Sequence, residues 1–240
     1  MDNPPSPYIT LGTQKFQVTE LSHLIYNGMP VYPGHPKTVI WDHLTHAETK
    51  KDGFSYAVKG IMVSDHTSTH VDALSHVIPH GLPICDLPLN LFITPGIWID
   101  VSHVPPRTYI TREDVERELN AASISIPEKS TVLYYTGTDR LWGTPDYLSQ
   151  YPGLSRDAAE FLADQGCINI GCDAVSIDNP LDSSYPAHCV CRERHILNAE
   201  NFTNIETIPS HEFWFLSLPL LIADGTGSPI RALALVVHHD

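Results

Sequence analysis

No apolar run in the 240-residue sequence is long enough to span a bilayer. The opening MDNPPSPYITLG also lacks the basic and then apolar layout of a signal peptide. The expectation is a soluble, intracellular, cytoplasmic protein with no membrane partner. Positive charge is equally scarce. Lys plus Arg number 14 against 28 for Asp plus Glu, a formal net charge of −14, which is the wrong sign for gripping a phosphate backbone and argues against a nucleic-acid partner. Cysteines are few and odd in number: Cys85, Cys167, Cys172, Cys189 and Cys191. A chain of this length needs no disulfide framework, so free thiols in a reducing compartment are expected. No Gly/Ser-rich linker, charge block, low-complexity tract or internal repeat marks a boundary, and residues 1–240 read as one domain.

With 42% hydrophobic residues, the chain has ample material for a core. Apolar, β-prone runs at Gly96 to Val101, Thr131 to Tyr135, Cys167 to Gly171, Phe213 to Leu218 and Arg231 to Val237 are short and bounded by turn residues, which predicts strands. Thr111 can cap a helix running to Asn120, and Ser155 one that ends before Gly166. The mixture favours an α/β domain on a mixed sheet.

Histidine is the unusual count: 14, as many as Lys and Arg together. The densest cluster is SDHTSTHVDALSHVIPHG, in which His66, His70, Asp72 and His76 share even parity. In an extended backbone, His66, His70 and Asp72 project from one face. In a helix, His66 and His70 are neighbours one turn apart, as are Asp72 and His76. Two imidazoles and a carboxylate suit zinc or another first-row divalent cation, and three protein ligands leave a place for water. The competing reading is a His-rich loop, or buried histidines satisfied by backbone groups.

HTSTHVDALSH resembles the signature of the cyclase-like metal-dependent hydrolases, which include bacterial kynurenine formamidase and isatin hydrolase. The usual pattern is His-x-Gly-Thr-His-x-Asp-Ala-Pro-x-His; here Ser68 takes the Gly place and Leu74 the Pro place. ELSHLIYNGMPVYPGHP, STVLYYTGTD, YPGLSRDAAEFLADQGCINIGCDAVSIDNP and LIADGTGSPIRALAL also look like family segments in the expected order. The resemblance implies a swivelling β/β/α fold, a mixed or barrel-like central sheet flanked by helices. It also implies a homodimer or higher homo-oligomer, with the N-terminal segment reaching a neighbour. The family's His twelve residues before the Glu of a Glu-Asn-Leu-x-Asn segment corresponds to His188, with Glu200 in AENFTNIE; His195 is then a decoy. One metal, zinc or manganese, is implied at His66, His70 and Asp72. A second is implied at Asp72, His188 and Glu200, with Asp72 bridging.

The resemblance further implies an arylformamidase-like, metal-dependent amidohydrolase that cleaves the C–N bond of a formamide or cyclic amide in a small molecule, with His76 shuttling the proton. Lactone or imide ring opening, a non-hydrolytic cyclisation or dehydration, and a metal-binding homologue without activity are the alternatives. Several other groups were weighed. A structural zinc site at His188, Cys189, Cys191 and His195 matches no familiar spacing, and a lone cysteine nucleophile has nothing specific behind it. Asp173 and Asp178 are read as turn or capping residues that could also face a site. The aromatics Tyr26, Tyr32, Trp41, Phe54, Trp98 and Trp142 are candidates for a flat pocket but are read mostly as core. Thr136 and Gly137 suggest a strand-ending turn, TGSP at 226–229 another turn, and Arg231 a partner for one of the carboxylates.

Overall fold

Five predicted strand runs become strands of one large sheet in the computed structural model, which describes residues 7–238. Two readings concern the start of the chain: the absence of a signal-peptide layout, and the N-terminal segment reaching a neighbour. Both fall in part on residues 1–6, outside the described residues. The strands are β1 (Tyr8–Leu11), β2 (Gln14–Glu20), β3 (Val39–Leu44), β4 (Val58–Met62), β5 (His70–Asp72), β6 (Ile93–Asp100) and β7 (Tyr109–Ile110), followed by β8 (Thr131–Tyr135), β9 (Gly153–Leu154), β10 (Asn169–Cys172), β11 (Leu197–Glu200), β12 (Glu212–Leu216), β13 (Gly227–Pro229) and β14 (Leu233–Val237). The helices are α1 (His46–Thr49), α2 (Leu74–Val77), α3 (Arg112–Ala122), α4 (Arg156–Asp164) and α5 (Pro186–Arg194).

Ten strands pair in the order β1-β2-β14-β12-β6-β8-β10-β11-β5-β13. The middle of the sheet, β6 to β11, is parallel, and its flanks are antiparallel. Every residue of β8, β10 and β11 is buried, as expected of parallel strands covered on both faces. Alternation along β8 sends Val132 and Tyr134 to one core, with Val115, Leu119, Ala158, Leu162 and Val190 of the three long helices. Leu133 and Tyr135 go to the other, with Val71, Phe202, Phe215 and Ala234. Strands from either side of the sheet's middle, β14 and β12 on one and β11 and β5 on the other, share this second core, so the sheet curls around it. The architecture is the expected α/β fold with a mixed, barrel-like sheet and flanking helices.

The helix starts are local effects. Thr111 accepts from the Asp114 backbone N–H while the Asp114 carboxylate accepts from the Thr111 N–H, a capping box. Ser155 accepts from the Ala158 N–H. Two local expectations need correcting. Residues 226–229 contribute strand β13, which pairs with β5 through Gly227↔Asp72, instead of a free turn. The extended reading of 66–72 holds only for His70–Asp72: Ser68 sits at φ +57°, which breaks the strand and leaves His66 in a turn.

Candidate metal centre and active-site cavity

β5, α2, α5 and β11 meet around a cavity of about 410 Å³ into which all six of the singled-out residues face: His66, His70, Asp72, His76, His188 and Glu200. Each imidazole is aimed by a neighbour. The His70 Nδ1 lies 2.8 Å from the Ser68 carbonyl, an acceptor only, so it donates and leaves Nε2 directed at Asp72 Oδ1 (3.3 Å) and Glu200 Oε2 (3.6 Å). The left-handed turn at Ser68 presents that carbonyl, which accounts for the family's Gly at this place. The departure at Leu74 is equally mild, since it is the first residue of α2, where proline is well tolerated but not required.

His66 is set by a relay. Thr226 Oγ1 donates to Asp65 (2.7 Å) and accepts from His66 Nε2 (2.9 Å), so Nδ1 faces Asp72 Oδ1 at 2.6 Å. The ring packs on β13 at Gly227, where a Cβ would come 2.8 Å from its Cε1. His188 lies in the first turn of α5, whose first residue is Pro186 and whose preceding residue, Tyr185, offers no capping side chain. Asp178 supplies the cap instead, accepting from the Ala187 N–H (2.7 Å), the His188 N–H (3.2 Å) and the His188 Nδ1. Nε2 of His188 is thereby turned to Asp72 Oδ2 (3.7 Å) and Glu200 Oε1 (3.6 Å). Asn198, two residues before Glu200 on the same face of β11, donates to Asp72 Oδ2 (2.9 Å) and Glu200 Oε1 (3.2 Å).

The charges in this cluster are unbalanced without a cation. Burial together with the negative charge of Asp72 pushes Glu200 up to about 7. Burial would also raise Asp72, but the imidazoles of His76, His188, His66 and His70 overcome it and hold the carboxyl well below its usual range. Burial opposes protonation of His70, yet the carboxylates of Asp72 and Glu200 beside its Nε2 lift it to about 9. His188 is likewise lifted, against burial, by Asp178 and Asp72. Protons on imidazoles thus occupy the electrostatic role of a bound cation, which would displace them. The telling atom is Asp72 Oδ1: it is buried, meets only the imidazole nitrogens of His66 (2.6 Å) and His70 (3.3 Å), and accepts no well-aligned hydrogen bond among the described residues. Donor atoms of His66, Asp72 and His76 lie within 4.8 Å of one another, as do those of His70, Asp72 and Glu200. Mixed imidazole and carboxylate donors around one shared Asp suit a divalent cation of the zinc or manganese kind.

The Cyclase family model matches residues 19–179. The chain belongs to the Cyclase family. The kynurenine formamidase of Salinibacter ruber is 32% identical over 219 residues, covering 89% of this chain and 95% of the relative. That of Paracidovorax citrulli is 30% identical over 217 residues, covering 89% and 94%. Isatin hydrolase A from Labrenzia aggregata, bound to benzyl benzoate, has a TM-score of 0.83 at 25% identity, covering 93% of this chain and 94% of that one. This member of the Cyclase family is accordingly a hydrolytic enzyme with a divalent-metal site and a small-molecule substrate. No helix among its described residues is long and apolar enough to cross a membrane.

Other candidates lie elsewhere in the enzyme. His195 is exposed at the C-terminal cap of α5, and Cys191 is core. No cysteine belongs to a metal-capable cluster among the described residues. Of the six weighed aromatics only Tyr32 lines the cavity. Trp142 stacks on His23 (3.9 Å between centroids) and Trp98 on His211 (4.6 Å), while Trp41 and Phe54 are exposed. Asp173 binds Thr136, Gly137 turns the chain at φ +78°, and Arg231 pairs with Glu20 at 2.7 Å. Sequence reasoning passed over Asn198 and Arg192. Strand alternation from Glu200 signals the first, and helical spacing from His188 the second.

Proposed function

We propose that the protein hydrolyses the C–N bond of an aryl formamide, with N-formylkynurenine as the leading substrate and isatin-type cyclic amides next. Zinc or manganese would be held by His66, His70 and Asp72, and a second ion by Asp72, His188 and Glu200. The observation that carries the reading is the convergence of four imidazoles and two carboxylates on one cavity around a buried Asp72 oxygen that meets only imidazole nitrogens. A divalent cation bound there supplies an activated water at neutral pH and polarises the substrate carbonyl.

The chain's own residues do the rest. Pro30, Val31, Val77 and Val175 give the cavity an apolar wall for a flat ring. His76 is less buried than the ligand candidates, its side chain 31% exposed, and its Nε2 stands 3.8 Å from Asp72 Oδ2. Burial, aided by the neighbouring imidazoles and opposed by Asp72, lowers its pKa, so at neutral pH it is neutral and can accept a proton. It takes one from water as the oxygen bonds to the formyl carbon, and returns it to the nitrogen as the C–N bond breaks, giving formate and the aryl amine. The test is metal analysis followed by pH–rate measurement on N-formylkynurenine, isatin and a lactone. Bound metal with no turnover of any of them contradicts the reading.

We further infer a homodimer working in the cytoplasm. Support for the first is the β3–β4 ribbon, a two-stranded sheet with Trp41, Val58, Ile61 and Met62 exposed. Such a ribbon is marginal without cover. Between residues 37 and 62 it carries four Lys and three acids, a net +1 that leaves −15 on the remainder of a −14 chain, which suits docking on the acidic body of a second copy. Support for the second is that all five cysteines are free. Light scattering of the purified protein reads the dimer directly.

A further inference from the structure

Arg192 is the one Lys or Arg among the cavity-lining residues, in a chain with twice as many acids as bases. It lies four residues after His188 on α5, so the two side chains share a helix face with Cβ atoms about 6 Å apart. Its Nη2 is 3.8 Å from Cys189 Sγ, which turns the guanidinium back along the helix toward the cavity. That sulfur, a weak acceptor, is its only hydrogen-bond acceptor among the described residues. The nearest carboxylate, Glu193, is 3.9 Å away and is already engaged by both terminal nitrogens of Arg156. The planar fork of donors is therefore free to take a ligand, and two parallel N–H bonds to a carboxylate are what it fits best.

The protein's net charge repels anions, so a carboxylate-bearing substrate needs a local cation to enter. We propose that Arg192 is a specificity-determining residue that selects aryl formamides bearing a carboxylate. Tyr185 lines the same cavity, whereas the Ser184 hydroxyl is already given to Asp182 (2.6 Å). This rests on the aryl-formamide reading for its chemistry. The guanidinium binds the carboxylate and takes no part in bond breaking, so it acts on KM and leaves kcat in place.

The experiment compares N-formylkynurenine with its carboxamide, which carries the same formanilide without the anion. Both are assayed on the metal-loaded wild type, Arg192→Gln and Arg192→Lys. In Arg192→Gln, kcat/KM for the acid falls about 10–100-fold through KM, while the carboxamide changes less than about twofold; Arg192→Lys recovers part of the loss. Equal losses for both substrates, or no loss for either, overturn the proposal. Calorimetric binding of kynurenine separates the two readings. Failure to hydrolyse either formamide, with kynurenine binding still dependent on Arg192, sinks the proposed reaction and keeps the carboxylate site. Binding that ignores Arg192 sinks the carboxylate site.

Discussion

Two buried aspartates, Asp72 and Asp173, differ in what surrounds them, and the difference separates a metal-ready carboxylate from a structural one. Asp173 is fully buried and satisfied by the chain: it accepts from the Thr136 N–H (2.9 Å), the Thr136 hydroxyl (2.7 Å) and the Asp139 N–H (3.3 Å). Asp72, 3% exposed, has one amide donor, from Asn198, and imidazoles on its other sides, with Oδ1 facing only His66 and His70 nitrogens and taking no well-aligned hydrogen bond. Equal burial with opposite satisfaction means that the first carboxylate orders a turn while the second waits for a cation.

The largest effect expected from breaking this contrast is in Asp72→Asn, where turnover falls to background; steady-state assay of the metal-supplemented variant checks it. Next is His76→Ala, which lowers kcat by about 10²–10⁴ while metal content, read by elemental analysis, stays near the wild-type level. Equal metal loss in both variants would erase the distinction between ligand and proton carrier.

A smaller effect, in stability alone, is expected from Asp173→Asn. Burial raises this carboxyl to about 6 against an unfolded value of 3.8. Between those values the folded state binds more protons than the unfolded, so the contribution of Asp173 falls as pH rises. At pH 4 the protonated carboxyl, like the asparagine amide, turns a donor toward groups that already donate, so the variant costs no more than about 1 kcal/mol there. The gap should then move in the variant's favour by roughly 2–3 kcal/mol between pH 4 and pH 7. Urea denaturation at four pH values measures it, and a gap independent of pH refutes the assignment. The smallest effect is at Ser68→Gly. Relief of the left-handed strain, about 1 kcal/mol, is offset by loss of the hydroxyl's bond to the His23 carbonyl. Stability within about 1 kcal/mol of wild type and retained turnover are expected, because the Ser68 carbonyl that aims His70 is unchanged.

What was legible in the sequence was what local chemistry decides. Thr111 and Ser155 cap their own helices within three residues, and the buried parallel strands read as short apolar runs. Helix α5 escaped because its cap, Asp178, arrives from eight residues before Pro186, and Tyr185 gives no signal. Strand β13 escaped because TGSP looks like a turn until β5 pairs with it. At the site, parity grouped His66 with His70 and Asp72 through an extended backbone that Ser68 interrupts. The turn still delivers His66, because Thr226 on the opposite side of the sequence fixes its ring. His188 and Glu200 came from family resemblance alone, since α5 and β11 approach β5 only through tertiary pairing.

The most direct test of the central claim is metal stoichiometry in wild type, Asp72→Asn and Asp173→Asn, each loaded with zinc or manganese, desalted and analysed alongside circular dichroism to establish folding. One or two ions per chain in wild type and Asp173→Asn, with none held by folded Asp72→Asn, is the predicted result. Full metal content in Asp72→Asn would contradict the account.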